Sequence, residues 1–478
     1  RASSYRVLQF IHQDSCPAPL PFMILLPLLL ALPPLGLRRP APLARRCAPQ
    51  VALVPRNRVA CYGCGAELQA DVAGSPGYME PERYEMKRKR RQLRETLCDR
   101  CRRLSSGEIL PAVVEGRLKR PSGAAVGEEG RGITTPEALR GVLLPLRERP
   151  ALIALLVDLT DVAGTLLPRV RELVGGNPIL LIGTKLDLLP RGTEPERVAD
   201  WLRGAARKIG GVVDVHLVSS KSGDGLQAAA RALLAERRGR DLFLLGAANV
   251  GKSAFLQSLL PLVSPATPRH LPLSASTPGT TLSLLPIDCF SGGSQLYDTP
   301  GVHLHHRMSA RLLPAELAMT MPRGRMRPYT PREAAAEGTS FFWGGLARID
   351  VVSAPPALRL TFCTGGSRLR LHECPTAEAA EAHAARAGIE WTPPQDAASA
   401  AELGELQLVR TARLRLTPCE QAADLAISGL GWVSVGCLPT LQQGALEATL
   451  AVWVPRGVEV FVRPPMPVGG LPTVGSEA

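Results

Sequence analysis

The stretch that most limits what this chain can fold into is Gly246-Ala-Ala-Asn-Val-Gly251-Lys252-Ser253. An apolar run, Leu242–Leu245, precedes it, and Ala254–Leu260 follows with a helical pattern. A loop between a strand and a helix can turn its backbone N–H groups onto an anion, aided by the positive end of the helix dipole. The glycines permit a close wrap, the lysine reaches outer phosphates, and the serine hydroxyl is a ligand for Mg2+. Gly246, Asn249, Val250, Gly251, Lys252, Ser253 and Ala254 are therefore expected to line a nucleotide.

Elements on either side extend this reading. Downstream lie the hydroxyl-rich Thr277-Pro-Gly-Thr-Thr281 and then Leu296-Tyr-Asp298-Thr-Pro-Gly301. Asp298 can hold Mg2+, directly or through water, and the Gly301 N–H can meet a γ-phosphate. Upstream, the runs Leu152–Val157 (ending at Asp158), Pro178–Ile182 and Val212–Val218 read as buried strands. Helical stretches Pro195–Lys208 and Gly225–Arg237 alternate with them, which implies a parallel sheet covered on both faces. After the second strand comes Gly183-Thr184-Lys185-Leu186-Asp187, whose carboxylate can accept hydrogen bonds from N1 and N2 of guanine. Ser219-Ser220-Lys221 follows the third strand and can close over the base. The base-reading elements thus precede the phosphate loop.

Two CxxC pairs, Cys61-Tyr-Gly-Cys64 and Cys98-Asp-Arg-Cys101, have the spacing of paired knuckles that complete a tetrahedral zinc site. With four thiolates and no open position, that site should be structural. Gly63 and Gly65 are expected to supply the positive φ such turns need. Eleven cysteines in a chain this long do not suggest a disulfide-built secreted domain. Between the pairs lies Lys87-Arg-Lys-Arg-Arg91, which can track a phosphate backbone. The net charge of +13 fits a polyanionic partner such as RNA.

From Met23 the chain reads as an apolar run followed by Arg38, Arg39, Arg45 and Arg46, with no acidic residue until Glu67. That is the pattern of a targeting leader, signal-like and then transit-like; prolines at 27, 33 and 34 argue against a membrane span. At the other end, Ala357–Cys363, Ser367–His372, Leu406–Leu416, Asp424–Val435 and Ala448–Val454 read as strands, and Thr376–Ala387 as a helix with a threonine cap and Gly388 as its stop. Arg323, Arg325, Arg327 and Arg332 form a basic stretch before them. Trp343, Trp432 and Trp453, flanked by apolar residues, are expected in the core rather than stacked on bases.

With TKLD and SSK ahead of GAANVGKS, PGTT and DTPG, the chain resembles the circularly permuted GTPases of the YqeH type, a group that includes the nitric-oxide-associated proteins of mitochondria and plastids. The zinc knuckles, VDLTD (157–161), DTPGVHLHH (298–306), FFWGGLARID (341–350) and ISGLGWVSV (427–435) carry the resemblance from Cys61 to about Pro467. It implies an α/β fold: a circularly permuted P-loop GTPase domain, an N-terminal zinc module and a C-terminal β-rich domain that binds RNA or peptide. The corresponding boundaries are leader 1–58, zinc module 59–117, linker 118–135, GTPase domain 136–316, basic linker 317–339, β-rich domain 340–470 and tail 471–478.

By the same resemblance, Lys252, Thr281, Asp298 and Gly301 serve catalysis, and Ser253, Thr281 and Asp298 hold Mg2+. Asn249 helps bind an activating K+. Thr184, Lys185, Asp187, Ser219, Ser220 and Lys221 surround the base, while Cys61, Cys64, Cys98 and Cys101 hold Zn2+. Val302 stands where Ras-like proteins have a water-orienting glutamine, which implies slow, K+-stimulated GTP hydrolysis. Thr184 stands where most GTPases have Asn, so a weakened contact to the base and a weakened tie to the phosphate loop are expected. No chemistry is expected of His305 and His306. The implied role is an assembly factor for the small subunit of an organellar ribosome, bound to rRNA, in the plastid stroma or alternatively the mitochondrial matrix, without stable membrane insertion. Because His303–Pro331 leads from DTPG into the C-terminal region, movement of that loop should pull on it. The alternative is a non-catalytic RNA-binding scaffold with a vestigial nucleotide site. A redox enzyme making nitric oxide finds no haem, flavin or dinucleotide motif in the sequence.

Overall fold

The structure is a computed structural model that describes residues 59–105, 113–114, 117–118, 144–167, 169–264, 284–302, 304–322, 324–366, 369–439 and 446–470. The leader, most of the Gly-rich linker, the Thr277–Thr281 loop, His303, Arg323 and the tail lie outside them.

Six strands build the first sheet: β1 (Ala151–Asp158), β2 (Ile179–Thr184), β3 (Val212–Leu217), β4 (Asp241–Gly246), β5 (Leu285–Ile287) and β6 (Leu296–Asp298). Their order is β3-β2-β1-β4-β6-β5, parallel throughout except for β5 against β6. The physical reason lies in the side-chain period of two. Ile153, Leu155, Val157, Leu181, Phe243 and Leu245 enter the core on one face, while Leu152, Ala154, Leu156, Leu180, Leu242 and Leu244 enter that on the other. Both faces need a cover. Helix Pro195–Ala205 packs into the first core through Val198 and Leu202. Helices Leu226–Arg237 and Lys252–Val263 pack into the second through Leu226, Leu233, Phe255 and Leu259.

Two antiparallel sheets follow. One has the order β10-β7-β8-β14-β11, from β7 (Thr339–Trp343), β8 (Ala347–Ser353), β10 (Leu371–Pro375), β11 (Leu406–Leu416) and β14 (Leu446–Pro455). The other is β9-β13-β12-β15, from β9 (Leu358–Thr364), β12 (Gln421–Ile427), β13 (Gly431–Cys437) and β15 (Val460–Arg463). They share a core of Phe341, Trp343, Ile349, Phe362, Leu425, Val433, Leu450 and Val452. The four-stranded sheet is also buried on its opposite face, where Cys363, Ala426 and Trp432 join the core under β1 and β2. The hydrophobic interior is thus continuous from the parallel sheet into the β-rich region.

This double burial corrects one expectation. Asp424–Val435 is not a single strand but the two arms of a hairpin, β12 and β13, turning at Ser428–Leu430 with Gly429 at φ +80°. A strand apolar on both faces shows no alternation to mark its ends. Two strands of the FFWGGLARID hairpin and β15 were also not anticipated, and Thr376 does not cap the helix. Thr376 opens a 3-10 turn, its hydroxyl pairs with that of Ser340 at 2.9 Å, and the α-helix runs Ala379–Arg386. Trp343 and Trp432 are buried, while Trp453 is half-buried, its Nε1 donating to Asp350. Strand β11 is an edge strand with a bulge between Leu408 and Arg410, and Arg410, Arg413 and Arg415 are exposed along it.

Asp424 is wholly buried within the β-rich region. It accepts from Ser434 Oγ (2.6 Å), Met466 N (2.9 Å) and Arg463 Nε (3.3 Å). Burial pushes its carboxyl up, and the Arg463 guanidinium opposes that. Asp424→Ala leaves the buried Arg463 without its carboxylate and is expected to cost about 3–5 kcal/mol in chemical denaturation. Arg415→Ala, at an exposed pair with Glu447, is expected to cost less than about 1 kcal/mol.

Candidate functional site

Strand register determines where the motifs meet. Asp158 pairs with Thr184, Leu156 with Gly246, and Leu244 with Asp298. The carboxyl ends of β1, β2, β4 and β6 therefore finish along one rim, the usual ligand edge of an open α/β sheet.

The phosphate loop crosses this rim with Asn249 at φ +63° and Gly251 at φ +90° before helix Lys252–Val263 begins. Lys252 is 6% exposed, and its Nζ donates to the carbonyls of Gly246 (3.2 Å) and Ala247 (2.9 Å). Burial lowers its pKa to about 8, against the pull of Asp298. Ser253 and Asp298 are buried beside it. Asp298, a carboxylate with no exposure, and the Ser253 hydroxyl are a hard oxygen pair of the kind Mg2+ takes. Thr281 lies outside the described residues.

Gly301 is held against the loop: a β carbon there would sit 2.7 Å from Ala248 Cα. Val302 N donates to the Gly246 carbonyl (3.1 Å), and Ala248 N to the Val302 carbonyl (2.9 Å). The Val302 side chain packs into the sheet core.

The upstream motif closes over the same loop. Thr184 Oγ1 donates to Val250 O at 2.6 Å and lies 3.1 Å from Val157 O. Thr184 thus keeps a tie to the phosphate loop, its hydroxyl reaching the Val250 carbonyl directly. Lys185 adopts φ +63°, a left-handed conformation costing about 1–2 kcal/mol. Its ammonium bridges Asp158 Oδ2 (2.5 Å) and the Asn249 carbonyl (3.0 Å). Burial pushes Asp158 up, but Lys185 outweighs it and holds the carboxyl below its ordinary value. Asp187 Oδ1 accepts from Ser219 Oγ (2.7 Å), which itself accepts from Lys221 N and Ser222 N. The Ser220 carbonyl accepts from Ser258, on the helix after the phosphate loop.

Sequence reasoning missed Arg307. Its Nε donates to Asp161 (3.0 Å) and its Nη1 to the Ala248 carbonyl (3.0 Å), at only 7% exposure. The next residue, Met308, donates its N–H to Ser428 O in the hairpin turn, and Glu459 N donates to His306 O. Asp158, Asp161, Lys185, Asn249 and Arg307 line a small cavity of about 40 Å³ at this junction. A usable signal was VDLTD, with two carboxylates closing a buried strand and needing cations.

Apart from this site, the sulfur atoms of Cys61, Cys64, Cys98 and Cys101 lie within 4.8 Å of one another, all fully buried. Cys64 and Cys98 are 3.9 Å apart, close to the roughly 3.8 Å between ligands of a tetrahedral zinc–thiolate centre. Amides of Cys98 and Cys101 donate to Cys61 Sγ and Cys98 Sγ. Gly65 takes φ +75°, but Gly63 does not adopt a positive φ, so only one of the two glycines is needed for that reason. Arg100, inside the second knuckle, is buried with no hydrogen-bond partner for its three guanidinium nitrogens among the described residues. A tetrathiolate around Zn2+ carries two negative charges, the compensation a buried cation requires. The residues fit the metal. Elemental analysis is expected to find one zinc per chain, and Cys98→Ser to lose it while guanine nucleotide binding persists.

Lys252 generates a pH prediction. Below its pKa of about 8 the ammonium is already charged; above it, binding a phosphate must first protonate the amine. GDP affinity is expected to fall above pH 8, approaching about tenfold per unit, with uptake of up to one proton per nucleotide. Calorimetry near pH 8.5 in two buffers of different ionisation heat measures that uptake, and none would count against the assignment.

Residues 241–322 match a family described as "50S ribosome-binding GTPase". Its match begins at β4, after the Thr184–Asp187 and Ser219–Lys221 segments. NO-associated protein 1, chloroplastic/mitochondrial, of Arabidopsis thaliana is 40% identical over 446 residues, covering 87% of this chain and 77% of that protein. YqeH of Bacillus subtilis is 29% identical over 409 residues, 85% of this chain and 99% of its own. A solved structure, YjeQ from Thermotoga maritima, aligns over 32% of this chain and 48% of its own, with 21% identity and a TM-score of 0.20. With its motifs in permuted order around one rim, the chain belongs to the family of circularly permuted GTPases that includes YqeH and NO-associated protein 1.

Proposed function

We propose that this protein binds and hydrolyses GTP and acts in assembly of the small subunit of an organellar ribosome, in contact with rRNA. The observation that carries the catalytic part is the meeting of Lys252, Ser253, Asp298, Gly301 and Asp187 on one rim despite their permuted order. Lys252 and the loop amides hold the phosphates. Ser253 and Asp298, with Thr281, would hold Mg2+, and Asn249 would help hold K+. Bound Mg2+ would supply charge neutralisation for the outer phosphates. Asp187, oriented by Ser219, takes the two donors on the guanine edge. Val302 packs its apolar side chain against the core, so no polar side chain at that position orients the attacking water. That supports slow turnover.

The coupling to a larger partner runs through Arg307. It ties the Ala248 carbonyl to Asp161, and its neighbour Met308 ties to the β12–β13 turn. Loss of the γ-phosphate frees Gly301 and so strains this chain of contacts. Hydrogen exchange across 304–320 is expected to differ between GTP- and GDP-bound protein, and identical exchange would sink the coupling.

A basic ridge supports an RNA partner. Helix Pro81–Lys89 has no buried residue, and Arg88, Lys89, Arg90, Arg91, Arg94, Arg102 and Arg103 are exposed around it. Such a ridge suits a phosphate backbone and predicts steep salt dependence. The name of the Arabidopsis relative, chloroplastic/mitochondrial, supports an organelle, with the plastid stroma preferred. Among the described residues no helix is long and apolar enough to cross a membrane.

Phosphate release from GTP and ATP in KCl and in NaCl tests the catalytic part. Slow turnover specific to GTP, faster in K+ and lost in Lys252→Ala, is expected. Cosedimentation with isolated small and large subunits tests the partner, since the matched family's description names the 50S particle. No turnover in either salt, with GTP still bound and small subunits still captured, would favour the non-catalytic RNA-binding scaffold.

A further inference from the structure

The loop that carries Asp187 is held from outside by the basic linker and by the segment that follows β15. Met326 N donates to the Leu188 carbonyl (2.8 Å), and Arg325 Nε approaches the Asp187 carbonyl (3.4 Å). Gly469 N donates to Thr193 Oγ1 (2.9 Å). The helix that follows the loop is gripped as well. Trp201 Nε1 donates to the Pro464 carbonyl (3.1 Å), and the Arg463 guanidinium lies 4.9 Å from the Trp201 ring and 5.2 Å from that of Trp432. Leu189, Val198 and Leu202 share one core with Met326, Met466 and Val468.

Among the described residues of the GTPase domain, by contrast, the base-reading carboxylate accepts from the Ser219 hydroxyl alone. A carboxylate that must meet two donors on a planar base has to be held within a few tenths of an ångström. Here the chain beyond β15 provides that second support.

We propose that the Pro464–Gly469 segment is a positioning element for guanine recognition: it touches no nucleotide but fixes the Asp187–Thr193 loop and so sets selectivity for the base. The proposal rests on the reading of Asp187 as the guanine-selecting residue. It differs from the Arg307 contact, which lies at the phosphate end.

Gly469→Ala is the direct test. Gly469 does not occupy the left-handed region, so alanine is acceptable to its backbone. Its β carbon, however, would lie 2.0 Å from the Arg191 carbonyl oxygen, 2.5 Å from Gly192 C and 2.7 Å from Thr193 N. All three are backbone atoms, so the loop must move. Gly324→Ala, with nothing within 4 Å of the added carbon, is the control.

Affinities of the full chain for GDP, IDP and inorganic tripolyphosphate are measured for each variant. IDP lacks the 2-amino group, one of the two donors to Asp187. Gly469→Ala is expected to weaken GDP about tenfold, IDP, which keeps N1–H, about threefold, and tripolyphosphate less than about twofold, so that the preference for GDP over IDP falls about threefold. Thr193→Val, which removes the acceptor for Gly469 N–H together with the hydroxyl's own bond to the Pro190 carbonyl (2.7 Å), is expected to lower that preference about twofold, and it serves if the alanine variant fails to fold. An unchanged GDP-to-IDP ratio in the folded variants, or an equal loss for tripolyphosphate, overturns the proposal. Asp187→Asn separates the two levels. If it fails to shift preference towards xanthosine diphosphate, the reading of Asp187 is at fault; if it shifts preference and Gly469→Ala has no effect, the positioning role is.

Discussion

A parallel sheet buried on both faces leaves only one place for polar function, the rim where its strands end. In this protein that constraint outweighs chain order. Leu155 and Leu156 pack into opposite cores, so a slide of β1 by one residue would force side chains of different size into each other's close-packed places on both faces. Register is thereby fixed, and with it the alignment of Asp158, Thr184, Gly246 and Asp298. Cutting the chain at one connection and joining it at another alters none of these pairings. The permutation is tolerated because the site is a property of strand ends, not of the path between them.

What the permutation changes is where the chain goes next. After Gly301 it passes through Arg307 directly into a second, β-rich body whose four-stranded sheet is buried on both faces. Trp432 and Cys363 belong to the same core as Ile153 and Leu181. Close-packed interiors transmit displacement rather than absorb it. The two bodies therefore meet at a stiff seam, contacted at the phosphate end by Arg307 and at the base end by Met326 and Gly469.

Much of this was legible in the residues. The strand–loop–helix around Lys252 and the two CxxC pairs announce themselves by spacing, because backbone wrapping and tetrahedral geometry both demand fixed intervals. The parallel strands of the first sheet stood out as short apolar runs punctuated by polar residues, whereas the three-residue antiparallel β5 did not. The β12–β13 hairpin did not, since burial on both faces erased the alternation that marks a strand. Arg307 was also hidden, being one of many arginines whose partners, Asp161 and Ala248 O, are distant in sequence. The reach of the Thr184 hydroxyl to Val250 depends on how closely two loops approach, which no single segment encodes.

Strand β11 leaves a row of backbone donors and acceptors at the open side of its sheet, next to exposed Leu408 and Val409. An edge of that length invites another copy of the chain to add a strand. The bulge between Leu408 and Arg410 breaks its flatness, and Arg410, Arg413 and Arg415 place like charge where two such edges would meet. The same arginines that give this region its basic surface thus keep a concentrated solution of the protein from self-templating, a safeguard that weakens as salt screens them.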